Sequence, residues 1–483
     1  MTTDTDLALM PATRLAAAIR SRRVSPVEAT QAALDRIEAL NPAVNAFVTV
    51  LAEQALEQAR QCEKQLIDGS DSIGPLHGVP VTVKDLTPTA GVRTTYGSRH
   101  YAEHVPEEDA LAWARVKDAG AVLLGKTTTP EFGWLGITDS PLTGVTRNPW
   151  NLDRTSGGSS GGAAVATALG MGAIGTGSDG AGSIRIPAAC CGVVGLKASA
   201  GRVPIYGEDL IYATTEAMGP LARTVDDAAL MLAVMSGPDE REAYPLPTLD
   251  SPLSASRRAP DPGLRVGYVA TIAGVPVEPD VADRVSAAAA LLADHLVVEA
   301  IELTVMDPVD QMLRFWRPAI SMFVDDLIAQ GLPLPDSHPV IARLAEEGRR
   351  MSAADLWQAS VVDRGILHGQ IASAFASVDL LLMPTMPLTA FPHPGPEGGP
   401  TSIAGFEVDW PFAAFLAFTA PFNMTGHPAV SLPCGFDSAG LPVGVQLIGR
   451  HGRDIEVLQV ARLLEELFSF NAACPPLVVG GAL

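Results

Sequence analysis

The stretch Ser156-Gly157-Gly158-Ser159-Ser160-Gly161-Gly162 runs directly into Ala163-Ala164-Val165 and on through small apolar residues to Ile174. Taken alone, a Gly/Ser-rich segment is most often a linker or a turn. A linker, however, normally leads into more polar sequence. This one opens a segment, Ala163 to Leu169, that has no distinct polar face, and a helix that is apolar all round has to be buried. Its side chains are small, so whatever covers it approaches closely. The pattern predicts a central helix packed on a sheet, with hydroxyl groups at its mouth.

Strand signals supply the sheet. Val79-Pro80-Val81-Thr82-Val83-Lys84 alternates, with the valines facing one way and Thr82 and Lys84 the other. Asp109 to Ala119 reads as a helix and Ala121 to Lys126 as a buried strand. Further along, Leu264–Val269 reads as a strand, Asp280–Leu292 as a helix, and Leu296–Leu303, Val378–Met383 and Val443–Ile448 as strands. Strands alternating with helices predict an α/β fold. Near the start, Ser25-Pro26-Val27-Glu28 has the form of a capped helix N-terminus, and Ala33, Leu34, Ile37 and Leu40 form its apolar face. Asn41-Pro42 is the expected stop. The proline-rich segment Gly237 to Gly263 reads as a surface excursion.

With 483 residues, 47% of them hydrophobic, the chain has material for a large core. Lys and Arg total 33 against 54 Asp and Glu, a net charge of −21, which argues against nucleic acid as the main partner. The five cysteines lack regular spacing and read as reduced thiols of a cytoplasmic protein. The first residues carry no basic region followed by an apolar stretch, so no secretory signal is read. The run Ala163 to Ile174 is too short and glycine-rich to span a membrane. No histidine pair has metal-ligand spacing, and neither a metal nor a cofactor is expected.

Two further features bear on chemistry. Gly175, Gly177 and Gly180 fit the dinucleotide spacing G-x-G-x-x-G, but Pro187 follows too soon for a helix to open at the last glycine, and no acid occurs in Ser199–Arg202. Ser183 instead sits among residues small enough to leave its hydroxyl accessible. The chain has only five lysines, Lys64, Lys84, Lys117, Lys126 and Lys197. Lys84 ends an apolar strand, where α/β sheets gather ligand-facing groups. A desolvated lysine can lose its proton near neutral pH, which arginine cannot.

The segments Gly78–Asp85, Gly157–Gly162 and Asp179–Ala188 together resemble the amidase signature family. The likeness extends through Cys191–Lys197, Asn423–Ala429 and Gly440–Gly449, and is weakest from about Val305 to Gly369. The resemblance implies one large domain over residues 1–483, with a mixed central β-sheet covered on both faces by helices. Its motif-bearing core would span about 70–235, the proline-rich excursion 237–263, and a variable substrate-pocket region about 305–370.

It also implies a Ser–cis-Ser–Lys trio: Lys84 as base, Ser159 as proton relay, and Ser183, 24 residues further on, as nucleophile. The logic is that of a weak nucleophile activated through a neighbouring base. A cis peptide is implied between Gly158 and Ser159. Gly180, Ala181, Gly182 and Ser183 would supply the oxyanion hole. The family usually has glycine where this chain has Ala181, a change that is tolerable if the backbone φ there is negative.

Asp179 and Arg185 flank the nucleophile and, with Gly158, Ser160 and Ser178, are expected to support it. By position, Phe132, Trp134, Leu135 and Ile137, and from the variable region Phe315, Trp316 and Phe323, are the expected pocket lining, although plain core packing explains each equally well. His77 and His427 read as structural.

The implied activity is hydrolysis of a small amide, anilide, ester or carbamate by water, with no cofactor, no nucleic acid and no membrane; a homodimer is compatible. The competing reading is the A-type subunit of a glutamyl-tRNA amidotransferase. That subunit usually carries Gln after the arginine following its nucleophile, where this chain has Ile186.

Overall fold

The computed structural model describes residues 6–69, 73–208, 214–332, 339–468 and 473–479. Residues 70–72 and 209–213 of the expected motif-bearing core, and 333–338 of the expected variable region, lie outside the described residues.

One mixed sheet of 11 strands organises the chain. From edge to edge the strands are Phe47–Val50, Val122–Thr127, Pro80–Lys84, Ile174–Ser178, Met218–Ala222, Val194–Lys197, Ala429–Phe436, Pro442–Gly449, Leu380–Pro384, Arg265–Tyr268 and Val297–Ala300. Pro80–Lys84 lies parallel to both of its neighbours, Val122–Thr127 and Ile174–Ser178. The pairings from Ile174–Ser178 through to Leu380–Pro384 are antiparallel, and the last two are again parallel.

Strand alternation divides the core into two layers. Leu380 and Leu382 join one apolar cluster, with Val79, Val81, Val83 and the helix Val225–Met235. Leu381 and Met383 join the other, with Ala163–Ala166, Phe415 and Phe418. Side chains that alternate along a strand point to opposite faces, so the clusters lie on the two sides of the sheet. Every strand residue from Pro80 to Lys84 is buried, because helices cover both faces.

The small-residue segment is a helix, Gly161–Ala168, with all eight residues buried. Its glycine is required by contact: a Cβ on Gly162 would stand 2.5 Å from Thr128 N and 2.6 Å from Ala46 O. Helix and sheet loops touch backbone to backbone there.

The capped helix begins as read. In Pro26–Val44 the Ser25 side chain accepts from Val27 N, and the Glu28 side chain accepts from Ser25 N. The expected stop at Asn41-Pro42 is corrected: the helix continues through Pro42 to Val44, and Asn45 takes the left-handed conformation at φ 54°. Pro42 has no N–H to give Glu38 O, so the helix runs on with that one bond forfeited. Asn41 Oδ1 accepts from Ala46 N at 2.7 Å and Phe47 N at 3.1 Å, which moves the cap beyond the proline.

The second run forms the strands Arg265–Tyr268 and Val297–Ala300 with the helix Pro279–Ala293 between them. The segment 237–263 is largely exposed and holds one short helix, Pro252–Ser256. The region expected to vary is helical: Pro308–Ala329, Pro339–Arg349, Ala353–Trp357 and Arg364–Ala374. No helix among the described residues is long and apolar enough to cross a membrane.

Candidate active site

Lys84 is the last residue of its strand, and Ser178 is the last residue of the parallel neighbour. Register pairs Val83 with Thr176, so both chains leave the sheet at the same end. Lys84 is fully buried, and its Nζ bonds Ser159 Oγ at 2.7 Å, Ser178 Oγ at 3.0 Å and Ser178 O at 3.4 Å. No carboxylate forms a salt bridge with it among the described residues. Burial therefore brings the ammonium down to about 8, while the more distant charges of Glu216, Asp179 and Glu208 pull the other way.

Ser159 precedes the buried helix, and the peptide bond from Gly158 is cis. Gly158 has no room for a side chain, since a Cβ would lie 2.4 Å from Ile137 O. Ser160 ties the two serine loops together: its N–H donates to Ser183 O at 3.1 Å and its Oγ to Ser178 O at 3.2 Å. Ser183 is partly exposed, whereas Ser159 is buried. Ser183 Oγ makes no hydrogen bond among the described residues. The geometry thus brings Lys84, Ser159 and Ser178 into contact, with the partly exposed Ser183 joined to this group through its carbonyl, which accepts from Ser160 N.

The loop Asp179–Ser183 is organised from behind. Asp179 accepts from the backbone N–H groups of Gly182, Ile184 and Arg185, and from Arg185 Nε at 3.0 Å and Nη2 at 3.1 Å. Burial by itself would raise this carboxyl; the Arg185 guanidinium, helped by Lys197 and Asn423, outweighs it and holds the group at about 2. Because the Gly182 N–H is turned inward to Asp179, the amides of Gly180, Ala181 and Ser183 are the ones without an acceptor among the described residues. Ala181 is not among the residues of positive φ, so its methyl group is accommodated. Gly182, at φ 132°, is different: a Cβ there would meet Thr419 Oγ1 at 2.3 Å.

Three supporting residues carry no signal of this role in the sequence. Asn423 accepts from Arg185 Nη2 and donates to Asp179 Oδ1 at 2.9 Å and Thr215 O at 3.0 Å. Gln446 Oε1 accepts from Arg185 Nη1 at 3.2 Å. Thr419 donates to Ala181 O at 2.6 Å and accepts from Arg185 Nη2 through its carbonyl. The stretches holding Asn423 and Gln446 share in the family likeness, but no local signal links them to a loop more than 230 residues earlier.

Of the expected pocket residues, Phe132, Trp134 and Phe323 form one aromatic cluster, with ring centroids 4.8–5.5 Å apart. Gly133, between the first two, lies against the trio: a Cβ on it would stand 3.3 Å from Ser159 Oγ. Leu135, Ile137 and Trp316 are buried in the same apolar layer, while Phe315 packs on its margin.

Comparison with known proteins agrees with this architecture. The family model described as Amidase matches residues 28–458. The chain is 35% identical to an acylamidase of Rhodococcus erythropolis, with 96% of each chain covered. It is 36% identical to the A-type subunit of the glutamyl-tRNA(Gln) amidotransferase of Moorella thermoacetica, covering 98% of this chain and 100% of that one. The crystal structure of a bacterial aryl acylamidase of the amidase signature enzymes superposes with a TM-score of 0.88 at 30% identity, covering 96% of this chain and 99% of that one. This chain belongs to the amidase signature family.

Proposed function

We propose that the protein is a serine hydrolase of amide-type bonds, forming an acyl-enzyme on Ser183 with Ser159 as proton relay and Lys84 as base. One observation carries the reading: a fully buried lysine whose bonded neighbours are serine oxygens rather than a carboxylate. Such an amine is readily neutral, and a neutral amine 2.7 Å from a hydroxyl accepts its proton.

Rotation of the Ser183 side chain toward Ser159 completes the relay; catalytic hydrogen bonds are often loose in a free enzyme and tighten with substrate. Ser183 Oγ then adds to the carbonyl carbon as its proton passes to Ser159 and that of Ser159 to Lys84. The amides of Gly180, Ala181 and Ser183 receive the oxyanion, each such donor being worth roughly 3 kcal/mol of barrier. Collapse breaks the C–N bond, and the proton returns through Ser159 to the departing nitrogen. Water enters by the same relay and releases the acid.

The aromatic cluster beside Ser159 favours apolar acyl or aryl groups. Amides, anilides, esters and carbamates all pass through a tetrahedral oxyanion, so all fall within the reading. The amidotransferase protein is an equally similar relative. Ile186, fully buried on the apolar side of the loop where that protein's kind carries Gln, favours the hydrolase.

The test is a panel of chromogenic amides, anilides, esters and carbamates, given to the isolated chain and to Ser183→Ala with no tRNA or partner added. Wild type should turn over at least one class, and the variant should lose about 10³-fold or more while melting at the same temperature. The rate should rise with pH through about 8 as Lys84 loses its proton. Equal rates for the two proteins would refute the assignment. An inert wild type on every class would favour the assembly reading.

A further inference from the structure

The helical region that lends Phe323 to the aromatic cluster ends in a rod at the surface: Ala353–Trp357, a π-helical turn over Gln358–Asp363, and Arg364–Ala374. Its buried residues, Ala359, Leu367 and Ile371, form a single line of contact with the body of the molecule. Between Ala353 and Ser373, where the structure describes every residue, fourteen are exposed, and Asp355 is the one charged residue among them. The whole chain is 18% charged and carries a net −21, so an outward face this bare of charge is not built for water alone.

Trp357 stands 65% exposed on this face, with Val361, Val362 and Ile366 at 41–47%. The π-helical turn brings them into line. Such a turn takes in one extra residue, so Trp357, Val362 and Ile366, five and then four apart, follow one another along the rod. Gly365 and Gly369 lie on the same outward side. Neither has a positive φ, and a Cβ on either would meet nothing within 4 Å. Glycine weakens an exposed helix relative to alanine, and this chain gains nothing from it there. A second backbone crossing close to the rod would gain, because the spacing of packed helices follows the side chains at the contact.

The charges around the face point to what covers it. They are already balanced: Arg314 pairs with Asp310 at 2.8 Å and Asp363 at 3.8 Å, Arg349 with Asp325 at 2.6 Å, and Arg350 with Glu346 at 2.8 Å. Arg364 turns inward, donating to Met424 O and, at 2.8 Å, to Thr214 O. Residues 339–374 hold four arginines against four acids. Two chains that each carry −21 repel on most approaches and least where charge balances. The face also complements itself. Laid antiparallel on its copy about a two-fold axis between Val361 and Val362, the rod sets Trp357 opposite Ile366 and Ala354 opposite Gly369. The same register sets Asp355 opposite His368.

We propose that this chain forms a homodimer in which the rod 353–374 packs antiparallel on its copy, with Trp357 as the anchor. This holds whatever chemistry Ser183 performs.

Sedimentation of the full chain over about 1–100 µM, the range in which a weak specific contact forms, gives the test. Wild type should reach twice the chain mass within it, and Trp357→Glu should raise the dissociation constant about 30-fold or more, as losing a tryptophan anchor does. At dilutions where both are monomeric the two should melt together. Cysteine cross-linking keeps the outcome decisive if the glutamate disturbs the fold. With a mild oxidant added, Val362→Cys should join two copies through a disulfide next to the axis. Ala372→Cys should not, since its two copies would stand on the order of 30 Å apart. A wild type that stays monomeric throughout overturns the proposal and leaves the face to a different protein. So does a dimer that Trp357→Glu leaves intact, or cross-linking as ready at Ala372 as at Val362.

Discussion

Between Pro80 and Lys197 the chain buries nearly every side chain that bears on the site, and its polar groups bond one another; between Pro308 and Ala374 it forms amphipathic helices that leave large apolar side chains in the open. Met322 is 66% exposed and Trp357 65%, whereas Lys84, Asp179 and Arg185 are at 0%. In the first region Lys84, Asp179 and Arg185 are each fixed by several partners, some drawn from Thr419, Asn423 and Gln446 at the far end of the sequence. The second region lends the aromatic cluster the single ring of Phe323. On the function proposed above, reactivity and selectivity draw on different stretches of the chain that meet where Phe323 packs on Phe132 and Trp134, so changes remote from that contact should add rather than couple.

The sharpest way to break this contrast is Asp179→Asn. It leaves the Arg185 guanidinium buried without its counter-charge, a loss of about 3–5 kcal/mol. Denaturant titration should show that loss, with turnover falling too as the Gly182 and Ile184 amides lose their charged acceptor. A variant as stable as wild type would mean that the network does not hold the loop. The same group sharpens the picture through pH. Its folded value, about 2, lies below the ordinary 3.8, so its contribution is complete above about pH 4 and is lost as pH falls toward 2. Melting temperatures of wild type and Asp179→Asn should accordingly converge in that window.

A smaller effect is expected from Phe323→Ala. For bulky aryl-acyl substrates KM should rise roughly tenfold, the scale of a lost apolar pocket contact. For an acetyl substrate kcat should hold. Equal losses on both substrates would make Phe323 a packing residue rather than part of the wall. The smallest effect belongs to Trp357→Gln, with stability within about 0.5 kcal/mol of wild type and rates unaltered.

The two regions also differ in how far they can be read from the sequence. Alternation places Lys84 at the end of a buried strand, and the absence of a polar face places the helix behind Ser159; both are local signals, and both segments form as read. The helix expected to stop at Asn41 runs on to Val44, and the Asn41 side chain caps the chain at Ala46 and Phe47, four and five residues past the proline, where no sequence rule looks for it. Asn423, Thr419 and Gln446 are silent for a different reason. Their contacts with Asp179, Ala181 and Arg185 exist only once the sheet has formed. Among the aromatic residues, composition does not separate Phe323, whose ring meets Phe132 and Trp134, from Phe315, eight residues earlier on the same helix, which packs on the apolar layer.

Lys84 reaches Ser178 because two parallel strands end within one residue of each other: Val83 pairs with Thr176, so Ser178 stands one residue beyond the level of Lys84. Removing or adding one residue between Val79 and Lys84 would carry the amine to the opposite face, among Val81 and its aliphatic neighbours, even with every active group still encoded. The tally of residues along that short ribbon is therefore as strict a requirement as the lysine itself. Lengthening the proline-rich excursion would only enlarge a loop at the surface.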